Sequence, residues 1–397
     1  VVRRAGVLER QRANGAARSG AQSNGQKAPQ PMRPFVAGTR RIDEPIYDAT
    51  ATLGASGIDL PSLEVDPNGF LAGLWVLVEA TTVGNAATVV FGADAPFNVL
   101  DLVNFQDTNS QPLVGPMNGY DLYLVDKYGG YAFQGDAKLS PIFLQTAGVG
   151  AGAGGSFAFI LYIPAEMVRR DGLGSLPNKS ASSTFSLNLR LAPSTAVYTT
   201  PPTALPPVRV RVLLEGWQDP NLADIRGNPV TPNPPGVQTT QYWHKQNYTL
   251  ASGSLNQRLL GIDSMVRNLI FVARDENNAR AQGDTEFPDP FTLLYETSQV
   301  VNRPRSFWRH FIATHFGYTA AAEAAGGRDN GVYPLTFCQD FGLKPGAETR
   351  LGYLPVSSAT NLVMSGTIGG TGANNYGVLV NKIVPAGGDP LQLTGGM

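Results

Sequence analysis

Residues 193–235 read PSTAVYTTPPTALPPVRVRVLLEGWQDPNLADIRGNPVTPNPP, and this stretch decides how the rest of the chain divides. Ten of the thirty prolines lie in it. Proline lacks the amide donor and fixes φ, so the window is neither a helix nor a run of central sheet strands. Its one regular piece is Val208-Arg-Val-Arg-Val-Leu-Leu-Glu215, which opens with the two-residue alternation of a half-buried strand and leads to Trp217. Strand-rich, helix-poor sequence of similar length lies on both sides. The expectation is two comparable β domains: a basic arm over 1–41, a first domain over 42–217, a proline-rich connector over 218–240, a second domain over 241–385 and a tail over 386–397.

A chain of 397 residues has the apolar content for two cores. Glycine (45) and proline (30) are abundant and only 15% of residues are charged, which favours short strands and tight turns over helical packing. The single cysteine, Cys338, excludes an intrachain disulfide and a multi-cysteine metal site. No apolar run reaches the ~18 residues of a membrane-spanning helix. Val1-Val-Arg-Arg4 is not followed by an apolar segment, so the sequence reads without a signal peptide.

The net charge of −1 hides an asymmetry. Residues 1–41 hold Arg3, Arg4, Arg10, Arg12, Arg18, Lys27, Arg33, Arg40 and Arg41 against one acid, Glu9, a net +8. The remainder holds 21 basic and 30 acidic side chains, a net −9. A segment with so few large apolar side chains does not fold alone. Composition alone is equally consistent with a solvated tail and with an arm that meets polyanions, either lipid headgroups or nucleic acid.

Along the first domain, residues 70–79, 88–91, 98–105, 120–125, 157–163, 185–191 and 208–214 read as strands, with Gly148–Gly155 as a glycine-rich loop. Phe185, Leu187, Leu189 and Leu191 carry the cleanest period of two. About eight strands at turn-marked spacing is the count of a sandwich or jelly roll. In the second domain, 242–243, 268–273, 291–296, 333–338, 349–353, 362–368 and 376–384 read as strands. Arg303–Phe316 reads as a short inserted helix, with Pro304 at its start, Gly317 after it, and Trp308, Ile312 and Phe316 on one face.

Chemistry is sparse. His310 and His315, five apart on a helix, do not share a face, and His244 stands alone, so no zinc pair is read. Gly150-Ala-Gly-Ala-Gly-Gly155 matches a dinucleotide fingerprint in letters only, because a strand follows where a helix must start. Asp284, Glu286 and Asp289 form an acidic cluster that reads as a solvated loop before it reads as a glycosidase pair or calcium site. The sequons at Asn178 and Asn247 carry little weight without a signal peptide. No active site, cofactor or metal site is expected.

The order of these elements resembles the double jelly-roll major capsid proteins of tectivirus-type, internal-membrane bacteriophages. The residues that carry the resemblance run from Tyr47-Asp-Ala-Thr50 through Gly69-Phe-Leu71, Gly84-Asn85, Phe91-Gly92, Asn98-Val-Leu100, Asp107-Thr-Asn109 and Gly119-Tyr-Asp-Leu-Tyr123. They continue through Gly154-Gly155, Ile163-Pro164, Leu176-Pro177, Arg309–Thr314, Gly331-Val-Tyr333 and Asn361–Ile368. Each is weak alone; the shared order spans most of the chain. Loop lengths, the connector and the arginine-rich arm depart from the family.

The resemblance implies an all-β chain of two consecutive eight-stranded jelly rolls, with the short helix in the second and a flexible basic N-terminal arm. It implies a non-enzymatic major capsid protein of an icosahedral virion, made in the host cytoplasm. A homotrimer would form a pseudo-hexagonal capsomer, meeting neighbouring capsomers and minor capsid or vertex proteins. The shell would enclose an internal membrane, faced by the arm, and double-stranded DNA, with no specific nucleic-acid sequence and no small-molecule substrate. Two other classes fit a β-rich chain: a jelly-roll carbohydrate- or receptor-binding spike, and a sandwich glycosidase using the acidic cluster.

Overall fold

A computed structural model describes residues 31–85, 88–132, 143–144, 148–236, 239–280, 285–316, 330–338, 352–356 and 360–385. The first half contains β1 (Arg41–Thr52), β2 (Ile58–Asp59), β3 (Leu63–Val65), β4 (Gly69–Asn85), β5 (Val90–Phe91), β6 (Leu100–Gln106) and β7 (Pro112–Met117). Helix α1 (Gly119–Gly129) follows, then β8 (Gly148–Pro164), β9 (Leu176–Asn178), β10 (Phe185–Leu191), α2 (Ser194–Val197), β11 (Tyr198–Thr200) and β12 (Pro207–Trp217). The second half holds β13 (Thr240–Arg258), β14 (Ser264–Arg274), β15 (Phe291–Tyr295) and β16 (Ser298–Arg303). It ends with α3 (Arg305–Phe316), β17 (Val332–Thr336), β18 (Leu354–Val356) and β19 (Leu362–Val384).

The first sandwich pairs one sheet in the order β1-β12-β4-β8 with another in which β7, β6 and β10 are neighbours and β2 and β3 pair with β10. Its inner faces follow from alternation. Leu74, Val76 and Val78 of β4 and Val208, Val210 and Val212 of β12 point in, as do the odd-numbered apolar residues of β10. Ser186, Asn188 and Arg190 point out, where Asn188 donates to Gln106 and Arg190 pairs with Asp101.

The second sandwich repeats the plan with two shared strands. Residues 240–251 of β13 pair with 373–384 of β19, and β14 joins the other side of β19. Beyond a register break, residues 253–258 pair with 363–368, and β15 and β16 extend that second sheet. Both strands therefore cross from one sheet to the other. Gly253 makes the crossing on β13 with φ +108, a region closed to most side chains.

The joint between the sandwiches is the surprise. α1 occupies residues 120–125, where a strand was expected. Asn118 caps it by accepting from the Asp121 amide at 2.8 Å, with Asp121 reaching back to the Asn118 amide, and Gly130 closes it in the left-handed conformation. Every one of its eleven residues is buried, so no polar stripe marks a helical period. Asn118→Ala is expected to cost about 1 kcal/mol, read from a denaturant midpoint.

α1 lies against β8 and β6 on one side and β14 on the other. The second sandwich turns a buried face toward it. Met265, Ile270, Val272, Leu379 and Ile383 join the first core, while Leu269, Phe271, Val378 and Val380 fill the second sandwich's own. β14 is buried on both faces, hence its nearly continuous apolar sequence. Trp243 of β13 is fully buried in this joint and lies parallel to Val114 of β7. The expected helix in the second half is present as α3. Trp308 packs on Phe287, Phe291 and Tyr333, and Phe316 meets Tyr128 of α1 edge-on at 5.1 Å. Each sandwich thus carries a helix at the same point of its strand order, not the second alone.

Three other expectations change. Gly148–Gly155 is the first part of β8, paired with β4 through Thr82–Ala153 and Asn85–Gly148, not a loop. Residues 242–243 belong to a strand of nineteen residues, and 362–368 and 376–384 to one continuous strand. Part of the expected strand 349–353 and the whole tail 386–397 lie outside the described residues.

Candidate functional site

Both sandwiches run in one direction. β1 and β13 start at the same end as β12 and β19 finish, as the pairs Arg41–Trp217 and Thr240–Val384 show. The parallel Trp243–Val114 pair aligns the two. Pro31 and Val384 therefore lie toward one end, here called the base.

At the base, Arg41 forks between two carboxylates, donating to Glu166 at 2.6 Å and Glu215 at 2.7 Å. Arg169 also donates to Glu215 at 2.9 Å and lies over the rings of Trp75 and Tyr162. Glu166 is fully buried and accepts the Gly172 amide at 2.6 Å. Burial pushes its carboxyl up to about 7, against the pull of Arg41. Phe35 anchors the incoming chain edge-on against Phe70 at 5.3 Å and Trp217 at 6.0 Å.

The opposite end carries a second ionic assembly. Asp94, in the loop between β5 and β6, accepts from Arg274 at 2.7 Å and Arg280 at 2.6 Å, both from the second sandwich. Burial opposes ionisation of Asp94, but the two guanidinium groups hold its carboxyl below the usual range. Beside this tie is a cleft of about 530 Å³ between the sandwiches. A third feature lies on the outer face of the β1-β12-β4-β8 sheet: an apolar hollow of about 380 Å³ lined by Pro45, Trp75, Leu77, Ile160 and Leu213, with Arg211 at its rim.

The expected basic arm is only partly in view. Arg3, Arg4, Arg10, Arg12, Arg18 and Lys27 lie outside the described residues. Arg33 bridges to Val230 of the connector and sits 3.9 Å from Asp224, Arg40 is exposed, and Arg41 opens β1. The Arg41 guanidinium is committed to Glu166 and Glu215.

Of the acidic cluster, Asp284 is outside the described residues. Asp289 accepts the Arg305 amide at 3.1 Å at the start of α3, a structural role. Among the described residues no three potential metal ligands come together and no helix is long and apolar enough to cross a membrane. His244 is driven down to about 4 by burial and the nearby Lys382. Asn178 is buried and donates to Asp66 and Asn68. Sequence reading missed Glu166, Asp94, Arg274 and Arg280. The one available signal was a lone acid in the apolar run Pro164-Ala-Glu-Met-Val168.

No family model and no curated protein matches the sequence. Solved structures are similar in fold. The chain superposes on the STIV MCP with a TM-score of 0.57 at 12% identity, covering 86% of this chain and 96% of that one. A second match, from the atomic structure of Sulfolobus Turreted Icosahedral Virus, has a TM-score of 0.58 at 11% identity and covers 89% and 95%. The Faustovirus major capsid protein follows at 0.52 and 10%, covering 95% of both chains. These matches run across both sandwiches. The fold is a double jelly roll. At such identities the likeness is one of fold; tectivirus-type descent is not singled out among these viral neighbours. In the double jelly roll the strand order places α1 and α3 at equivalent points, and it sets the Asp94 tie and its cleft at the end away from the base.

Proposed function

We propose that the protein is the major capsid protein of an icosahedral virion, and that three copies form a pseudo-hexagonal capsomer. The observation that carries this reading is the pair of jelly rolls held side by side in one direction by a shared buried joint. Three such pairs present six similar blocks around a threefold axis and tile a flat facet. The open hollow at Pro45, Leu77, Ile160 and Leu213 is an apolar patch that a neighbouring copy would cover. Minor capsid or vertex proteins would meet the capsomer rim.

The base is the inner side in this reading. Residues 1–30 carry six basic groups and one acid and enter the body there, toward an internal membrane surrounding double-stranded DNA. Each basic residue near anionic headgroups adds about 1 kcal/mol, and three arms per capsomer act together.

Truncation tests the arm and assembly together. Removing residues 1–30 is expected to leave the urea midpoint unchanged, abolish salt-sensitive binding to phosphatidylserine vesicles and block growth of shells or hexagonally packed sheets in electron micrographs. Removing 1–41 should also destabilise the body, since Phe35 and Arg41 go with it. Unchanged vesicle binding after the shorter truncation contradicts the arm's role. Full-length protein that forms no ordered array at any concentration or salt contradicts the shell.

A further inference from the structure

We propose that the cleft between the two jelly rolls, at the end away from the base, is a binding site for a neutral polyhydroxylated ligand, a saccharide unit. Nothing in the shell reading requires such a site. That reading enters only in making this end the outer surface of the particle.

The cleft is within the chain, not between copies. Its walls come from the loop between β5 and β6, from the end of β7 and from the turn after β10 on one side. The other side is formed by β13, the end of β14 and the second part of β19. Its volume of about 530 Å³ falls within the ~300–1,000 Å³ of small-molecule sites. The Asp94 tie to Arg274 and Arg280 braces it, so the walls are set before any ligand arrives.

Charge decides the ligand class. Three acid–base sets line or reach the cleft: Asp101 with Arg190 and Lys245 with Asp121 at 2.7 Å are balanced, while Asp94 with Arg274 and Arg280 carries one surplus positive charge, which Arg280 holds behind the lining, buried and donating to the Ala93 and Asn330 carbonyls. A charged ligand would have to compete with the buried Asp94–Arg274 and Lys245–Asp121 pairs for a partner, and breaking either leaves a buried charge unpaired. The remaining polar surface is neutral. Asn247 presents an amide, Thr249 a hydroxyl that donates to Asn375 at 3.2 Å, and Tyr248 one wall, while Asn98 donates to the Ala196 carbonyl at 2.7 Å. An amide offers two donors beside an acceptor, matching adjacent hydroxyl groups on a sugar ring, and a tyrosine ring covers the apolar face of such a ring. Asn247 and Thr249 are exposed on β13, so these groups are reachable from solvent.

A glycan array of neutral and acidic saccharides, followed by titration calorimetry of the best neutral hit against the full-length protein, tests the proposal. The expected result is selective binding of neutral glycans that is insensitive to salt. Asn247→Leu, which fills the cleft from an exposed strand position, should weaken binding by at least about tenfold without changing the urea midpoint. Asn375→Leu, which removes the amide beside Thr249, should weaken it similarly. The proposal is overturned if no glycan binds, if acidic glycans bind best, or if both variants bind like the parent. Particle mass is read on the same samples. Glycan binding by a chain that never forms trimers would retain this site and remove the shell reading; trimers that bind no glycan would do the reverse.

Discussion

Trp243→Ala should lower the folding free energy by about 3–5 kcal/mol, the largest single-residue loss expected in the joint. Trp243 is fully buried. Its ring meets Tyr131 edge-on at 6.3 Å, and its Nε1 donates to the Tyr131 hydroxyl at 3.1 Å. The same hydroxyl donates to Gln241 at 2.7 Å and accepts from Arg267 at 3.2 Å, while Arg267 also donates to the Gly129 carbonyl at the end of α1. Truncation leaves a ring-sized void beside Gly129 and removes one donor from a buried network that ties β13, β14 and α1 together. Trp243→Phe keeps most of the volume and should lose clearly less. Urea unfolding of the three proteins checks this; a loss under about 1 kcal/mol for alanine would mean that the two jelly rolls do not depend on this joint.

The second large effect is a pair of opposed pH dependences. Glu166 holds its proton up to about 7 in the folded chain, against an ordinary value of 4.5, because burial disfavours the carboxylate. Between those values the folded state binds more protons than the unfolded one, so its contribution to stability falls as pH rises from 4.5 to 7. His244 runs the other way. Folded, it takes a proton only near 4, against 6.5 when free, so its contribution is complete above 6.5 and is lost as pH falls toward 4.

Each shift corresponds to about 3 kcal/mol at full effect. Glu166→Gln mimics the protonated side chain. It should match the parent near pH 4.5 and exceed it by about 3 kcal/mol at pH 8. His244→Gln should exceed the parent only below pH 6.5. Asp126, also raised by burial, adds to the Glu166 trend in the parent and in both variants, so the differences between proteins isolate each group. Guanidinium unfolding across pH 4.5–8 measures both. A Glu166→Gln protein that is less stable at pH 8 would show that the Arg41 and Gly172 contacts outweigh desolvation.

What could be read in the sequence follows from burial. β10 was legible because one face is wet: Ser186, Asn188 and Arg190 interrupt the apolar residues at every second position. β14 was legible as a strand by its length and continuous apolar character, although its two buried faces hid the fact that it serves two cores. α3 was legible because its start and stop residues flank a one-sided apolar face. α1 was not, because a helix buried on all sides has no polar face to set its period, and Tyr120, Leu122 and Leu124 imitate strand alternation.

The sheet-crossing strands were cut into pieces for a related reason. Residues 244–258 of β13 are largely exposed or half-buried, so only Tyr242-Trp243 stood out. The ionic ties were out of reach, since Asp94 and Arg280 are brought together from opposite halves of the chain. Composition groups Arg41 with the basic residues of 1–41 and carries no information about Glu166 and Glu215, the buried carboxylates its guanidinium meets.

The central claim is that one chain supplies two like-oriented jelly rolls so that three chains imitate a hexagon. Native mass spectrometry of the purified protein, with class averages of the same sample by electron microscopy, tests it most directly. The account predicts a particle of three 42.2-kDa chains with a six-lobed, threefold-symmetric outline. A stable monomer, or an oligomer whose number of chains is not a multiple of three, would contradict it.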